Sequence, residues 1–326
     1  MKLPWRALLT AATAVAVMLS GAGSAAAQGF PNRPVKIVVP FAAGSGSDVY
    51  ARLLAEDFGA AFGQTFLVDN RAGASAQIGT LAVAKAAPDG YTLLIATNTA
   101  HSANPALFKK LPYEPLTDFT GIGRVLAMPY LLVVPKNSPF SSVAALIARA
   151  RSAPNTLNYG YGNSSGQVAS AEFSHLAHIV ATGVAYKSLP PALTDLIGGQ
   201  LDYVFVDVST ALPHLKSGRL KALGFSLGKR SAQLPDVPAI AETPGMGAFE
   251  LMSWVGLVAP AGVPADVLER LNTQLRRTLT KPEVRDKLIA MGAEVTPSTP
   301  SEMDEFMRQQ LASWGAKIRS AGLTPE

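Results

Sequence analysis

Three short stretches of this sequence are dense in residues that donate hydrogen bonds without carrying charge. They are Phe41-Ala42-Ala43-Gly44-Ser45-Gly46-Ser47-Asp48, Thr97-Asn98-Thr99-Ala100-His101-Ser102 and Tyr161-Gly162-Asn163-Ser164-Ser165-Gly166-Gln167. Each follows an apolar run and leads into a helix or turn pattern. Loops of this kind offer free backbone amides and the positive end of a helix dipole, which favour an anion. None of the three contains Lys or Arg. The chemistry that fits is a carboxylate held by neutral donors, not a polyphosphate.

Several sharper motifs compete with that reading. Gly44-Ser45-Gly46-Ser47-Asp48 sits between a strand and a helix like a dinucleotide fingerprint, but it lacks the third glycine. Gly162-Asn163-Ser164-Ser165-Gly166 matches the G-x-S-x-G elbow of serine hydrolases. A triad in hydrolase order would need Asp202 or Asp207 followed by His214. His214 follows Asp207 closely, inside Leu212-Pro213-His214-Leu215, a stretch that reads as a short helix. A secreted serine hydrolase is therefore the alternative reading. His175 and His178 are three apart on an expected helix, yet zinc needs further ligands and the chain has no Cys. No metal or other cofactor is expected. Trp254, in Met252-Ser253-Trp254-Val255-Gly256, suits either a cleft wall or a core strand.

The elements that must position these loops alternate. Val35 to Pro40 is a β-branched run, and after the first loop Val49, Leu53, Leu54, Phe58 and Phe62 recur at helical spacing. Ser47 is the expected N-cap of that helix. Strands are predicted at Thr65–Asp69 and Tyr91–Ala96 with a helix at Gln77–Ala87 between them. A second series starts near Tyr130 and alternates in the same way as far as Phe225. An apolar strand at Leu251–Val258 and three helices close the chain. Two α/β modules in series imply mostly parallel sheets flanked by helices, with ligands at the carboxyl ends of strands.

The N-terminus reads as an address. Lys2 and Arg6 precede an uncharged apolar run from Ala7 to Leu19, then helix-breaking glycines and Ala25-Ala26-Ala27. That is the pattern of a signal peptide over residues 1–27, cleaved before Gln28. No Cys is available for a lipid anchor, so a freely diffusing periplasmic protein is expected. Removing Lys2 and Arg6 leaves 26 cations against 23 acids, a net of +3, and the cations are scattered. Nucleic-acid binding needs a clustered basic face and is not expected. With 48% apolar and 16% charged residues among 326, the chain can build real cores.

An ordered set of segments resembles the tripartite tricarboxylate transporter receptors, the Bug-type periplasmic substrate-binding proteins. It begins with Phe30-Pro31-Asn32-Arg33-Pro34-Val35-Lys36-Ile37-Val38-Val39-Pro40-Phe41 and Asp48-Val49-Tyr50-Ala51-Arg52. It continues through Asp69-Asn70-Arg71-Ala72-Gly73 and Ala87-Pro88-Asp89-Gly90-Tyr91 to Ala211-Leu212-Pro213-His214 and Trp254-Val255-Gly256-Leu257. The resemblance implies an α/β, two-domain Venus-flytrap receptor of the type II periplasmic-binding-protein fold, acting as a monomer and catalysing nothing. It implies a small organic acid as ligand and a membrane permease of one large and one small subunit as partner. Carried over to this chain, it assigns one wall of the site to Phe41, Ala43, Gly44, Ser45, Gly46, Ser47 and Asp48, with Asn98, Thr99 and His101. The facing wall falls to Ser164, Ser165 and Gln167, with Asp207 nearby. Three departures lie at or near this site: Ser45-Gly46-Ser47, Gly166-Gln167 where Ser-His is common, and Ser188 where a glycine is usual. A chain that crosses twice gives one domain from residues 30–127 plus 255–326 and another from 128–254.

Overall fold

The computed structural model describes residues 29–231 and 234–326; the expected signal peptide lies outside them. The chain starts β1 (Val35–Val39), α1 (Gly46–Phe62), β2 (Phe66–Asn70), α2 (Gln77–Ala84) and β3 (Thr92–Thr97). A π-helical turn at Thr99–Ala103 runs straight into α3 (Asn104–Leu107). The long strand β4 (Phe119–Pro135) leads to the second module. That module is α4 (Val143–Ser152), β5 (Asn158–Tyr161), α5 (Ser164–Ala177), β6 (Thr182–Ala185), α6 (Leu189–Ile197), β7 (Tyr203–Asp207), α7 (Val208–Lys216) and β8 (Leu220–Phe225). The chain returns through β9 (Met252–Pro260), α8 (Ala265–Thr280), α9 (Pro282–Ala290), β10 (Glu294–Val295) and α10 (Pro300–Ser320).

Each module has a parallel block: β1 pairs with β2 and β3, and β5 pairs with β6 and β7, all parallel. The sheets are nonetheless mixed, where mostly parallel ones were expected. β9 runs antiparallel to β3 and β4, and β4 runs antiparallel to β7 and β8. The reason is connectivity. β4 and β9 pass between modules, and a strand that carries the chain across enters against the parallel block. β4 serves both sheets, pairing with β9 as far as Pro129 and with β7 and β8 from Tyr130 onward. Its first half was not predicted. Gly121 and Gly123 break any alternation there, and the register with β9 slips at both Gly121/Gly123 and Arg124/Leu126.

The cores follow the modules. Phe58, Leu94, Leu126 and Leu257 belong to one, and Leu132, Phe173, Phe205 and Phe249 to another. α10 spans the two: Met303 and Met307 pack in the first core, Trp314 and Ile318 in the second. Its far end is tied to the second module by Lys317, which donates to Glu172 (3.0 Å) and to the Glu250 carbonyl (2.8 Å). Local signals set the helix ends. Thr299 and Glu302 form a reciprocal capping box on α10, and Gly63, at φ 64°, ends α1 in the left-handed region with its N–H on the Gly59 carbonyl.

Candidate functional site

The two modules meet over a small cavity of about 30 Å³. Eight of the expected site residues line it: Phe41, Ser45, Gly46, Ser47, Asn98, Thr99, Ser165 and Asp207. Four helix N-termini converge there, those of α1, α5, α6 and α7, though Pro190 and Pro191 leave α6 few free amides. Their caps differ in charge. Ser45, not the expected Ser47, caps α1 and accepts from the Asp48 amide; Asn163 caps α5 and accepts from Gly166. Both are neutral, so the dipole ends they cap stay open to an anion. α7 carries its own anion: Asp207 accepts from the Thr210 amide (2.9 Å), the Thr210 hydroxyl (2.9 Å) and the Ser209 hydroxyl (2.5 Å). No Lys or Arg lines the cavity.

The lobes are hydrogen-bonded directly across the cleft. The Gly46 amide donates to the Thr210 hydroxyl at 2.9 Å, and the Ala42 amide to the Ser188 hydroxyl at 3.3 Å. Deeper in, Asn98 donates to Ser165 and accepts from Ser253 at 2.5 Å, so one fully buried amide ties β3, α5 and β9 together. Ser164 donates to Asn104 at 2.7 Å. Gly46 packs so tightly on the second lobe that a Cβ there would lie 2.5 Å from the Asp207 carboxylate.

Other expected residues stand elsewhere. Ala43 and Gly44 are on the outer side of their loop, and Gln167 is half-buried away from the cavity. Asp48 braces the first loop from behind, accepting from Gly44 (3.0 Å), Asn70 (3.0 Å) and Arg52 (3.1 Å). Burial works to raise its pKa, and these bonds outweigh it and hold the carboxyl below its usual value. Replacing Asp48 with Ala is expected to slacken the loop and weaken ligand binding about tenfold, with Asp48→Asn much milder because it still accepts from Gly44. Titration calorimetry of both variants checks this; equal losses would remove the brace.

Sequence reasoning missed Thr97, Met128, Tyr130, Asn163, Ser188, Leu189, Ser253 and Val255, which complete the lining. Asn163 lay inside a singled-out loop, and Ser188 was marked as a departure. Thr97 heads another singled-out loop and Leu189 opens α6, while Met128, Tyr130, Ser253 and Val255 come from strands whose cleft-facing side only the assembled sheet defines. The hydroxyls of Tyr130 and the nearby Tyr50 are pushed above their ordinary pKa by burial first and the Asp207 charge second, so they stay neutral.

Residues 50–323 match the family described as tripartite tricarboxylate transporter family receptor. The chain belongs to that family. The receptor is 35% identical to a UPF0065 protein of Bordetella bronchiseptica, over 93% of this chain and 90% of that one. It is 32% identical to BugT of Bordetella pertussis, over 94% and 96%. Among solved structures it superposes on R. palustris Rpa4515 with adipate at TM-score 0.88 and 34% identity, covering 91% of this chain and all (100%) of that one. MatC from Rhodopseudomonas palustris with bound malate gives 0.83 and 32%, covering 89% and 100%.

These relatives are solute-binding receptors, and the receptor described here is not an enzyme. The geometry explains why the hydrolase elbow fails. Ser164 bonds to an asparagine amide, with no histidine at its hydroxyl. His178 lies past the end of α5, at φ 51°, so it does not share a helical face with His175. Among the described residues no group of His, Cys, Asp and Glu could hold a metal.

His101 is fully buried against Phe119 and Trp254 and does not line the cavity. Burial pushes its pKa down to about 4, against a smaller upward pull from the Thr97 main chain. The folded state therefore keeps it neutral while the unfolded chain protonates near 6.5. Its contribution is fully present above 6.5 and is lost as the pH falls toward 4, roughly 2 kcal/mol at pH 5. Denaturant unfolding at pH 7 and pH 5 should show this loss, and His101→Gln should flatten it. An unchanged pH slope in the variant would contradict the assignment.

Proposed function

We propose that this receptor captures a small aliphatic carboxylate in the cleft between its lobes, in the periplasm, and delivers it to the large and small permease subunits of a tripartite tricarboxylate-type transporter. The observation that carries the reading is the convergence of two neutrally capped helix N-termini, one from each lobe, on a cavity whose lining has no Lys or Arg. Likeness to proteins solved with adipate and with malate supports the same ligand class. Among the described residues no helix is long and apolar enough to cross a membrane.

The lobes are taken as residues 30–127 with about 255–326, and 128–254. α10 and the segment around Ala103 and Leu107 reach into the second core, so these elements brace the closed form. A cavity of about 30 Å³ holds little more than a water molecule. The ligand therefore enters an opened cleft, with β4 and β9 as the hinge near Pro129 and Met252. The deep contact between Asn98 and Ser253 lies close to that hinge. The pairs Ala42–Ser188 and Gly46–Thr210 join the outer parts and act as latches. The ligand selects the closed state by taking donors from both lobes.

A thermal-shift screen of the mature protein against mono-, di- and tricarboxylic acids tests the reading. An acid at 100 times its Kd adds about 2.7 kcal/mol and raises the midpoint clearly. A protein stripped of co-purified ligand that no carboxylate stabilises would refute it.

A further inference from the structure

Behind the hinge strands, on the face opposite the cleft, lies a second hollow of about 240 Å³. Strand alternation separates the two. Val255 of β9 lines the cleft and its neighbour Trp254 the hollow, while Ser253 borders both. Its walls come from both hinge strands (Arg124 and Trp254) and from α10 (Phe306 and Gln310), with Glu294 at the exposed rim.

Two donors there lack partners. The Trp254 side chain is 2% exposed, and its indole N–H is buried with no acceptor. Arg124 is half-buried and its Nε has no acceptor. Glu302 feels its charge, but no carboxylate among the described residues forms an ion pair with it. The guanidinium lies 4.7 Å from the centre of the Phe306 ring, which meets Trp254 edge-on at 5.4 Å. Buried donors are satisfied in nearly all folded proteins, so two orphans on one hollow ask for an acceptor. A cation and an N–H beside aromatic walls suit one carboxylate attached to a flat apolar body. Glu294 at the rim disfavours a second negative charge.

We propose that this hollow is a second binding site, taking a small aromatic monocarboxylate. The site is built on β4, β9 and α10 together. The inference rests on no part of the cleft reading.

Benzoate is the probe, followed through the indole N–H resonances of the full-length mature protein, with Trp254→Phe assigning the peak. The Trp254 resonance should move saturably in the wild type and equally in Gly46→Leu, whose cleft cannot close. Arg124→Gln should weaken the apparent affinity at least about tenfold. Phe306→Leu should weaken it less, and this variant carries the test if Arg124→Gln does not fold. No movement in the wild type would overturn the proposal, as would movement unaffected by these substitutions. Movement lost in Gly46→Leu would place benzoate in the cleft and equally overturn it.

Discussion

Gly46→Leu is expected to abolish carboxylate binding while leaving the apo fold intact. Gly46 is the first residue of α1 and sits against the opposite lobe. A Cβ there would come within 2.5 Å of the Asp207 carboxylate and 2.6 Å of the Ser209 hydroxyl. Those atoms cannot easily yield, because Asp207 is pinned by its three bonds as the cap of α7. The open form pays nothing for the new side chain, since α1 gains a better helix former at an ordinary helical position. The cost falls on closure alone. A loss of at least 100-fold, or about 2.7 kcal/mol, is expected by calorimetry, with the apo unfolding midpoint unchanged. Gly46→Ala should show a smaller loss of the same kind. Wild-type affinity in both would mean that the bound state does not bring α1 against α7.

Gly162→Ala should act on the fold. The glycine of the apparent hydrolase elbow is there for packing: a Cβ would lie 2.1 Å from the Ser188 carbonyl carbon and 2.3 Å from the Leu189 amide. These are main-chain atoms at the start of α6, so relief requires moving the helix. Overpacking against backbone is expected to cost about 3 kcal/mol or more in denaturant unfolding. Binding should fall as well, because Ser188 carries one of the latches. A change within about 0.5 kcal/mol would show that α6 gives way freely.

Much of the architecture was legible because local rules decide it. The helical spacing of Val49, Leu53, Leu54 and Phe58 and the β-branched run at Val35 read directly as α1 and β1. The three neutral loops were legible for the same reason, since glycine and hydroxyl residues after a strand mark helix starts. What escaped is set by tertiary placement. Tyr130 and Ser253 reach the cavity only because β4 and β9 cross between lobes, pairing Met128 with Ser253. His101 carries a polar name in a polar loop, yet the π-helical turn carries it to the core. Ser45 displaced Ser47 as the cap by starting α1 earlier in the loop, which turned Gly46 into the contact residue. Asp207 looked like a ligand-side group and serves mainly to hold its own helix.

The central claim is that a carboxylate is gripped between the two lobes by neutral donors. A crystal structure with the acid that gives the largest thermal shift tests it most directly. The account predicts a closed receptor with the carboxylate at hydrogen-bond distance from the N-terminal turns of both α1 and α5 and out of contact with Asp207, whose charge repels it. An acid bound to one lobe only, or held outside the cleft with the cleft left empty, would contradict it.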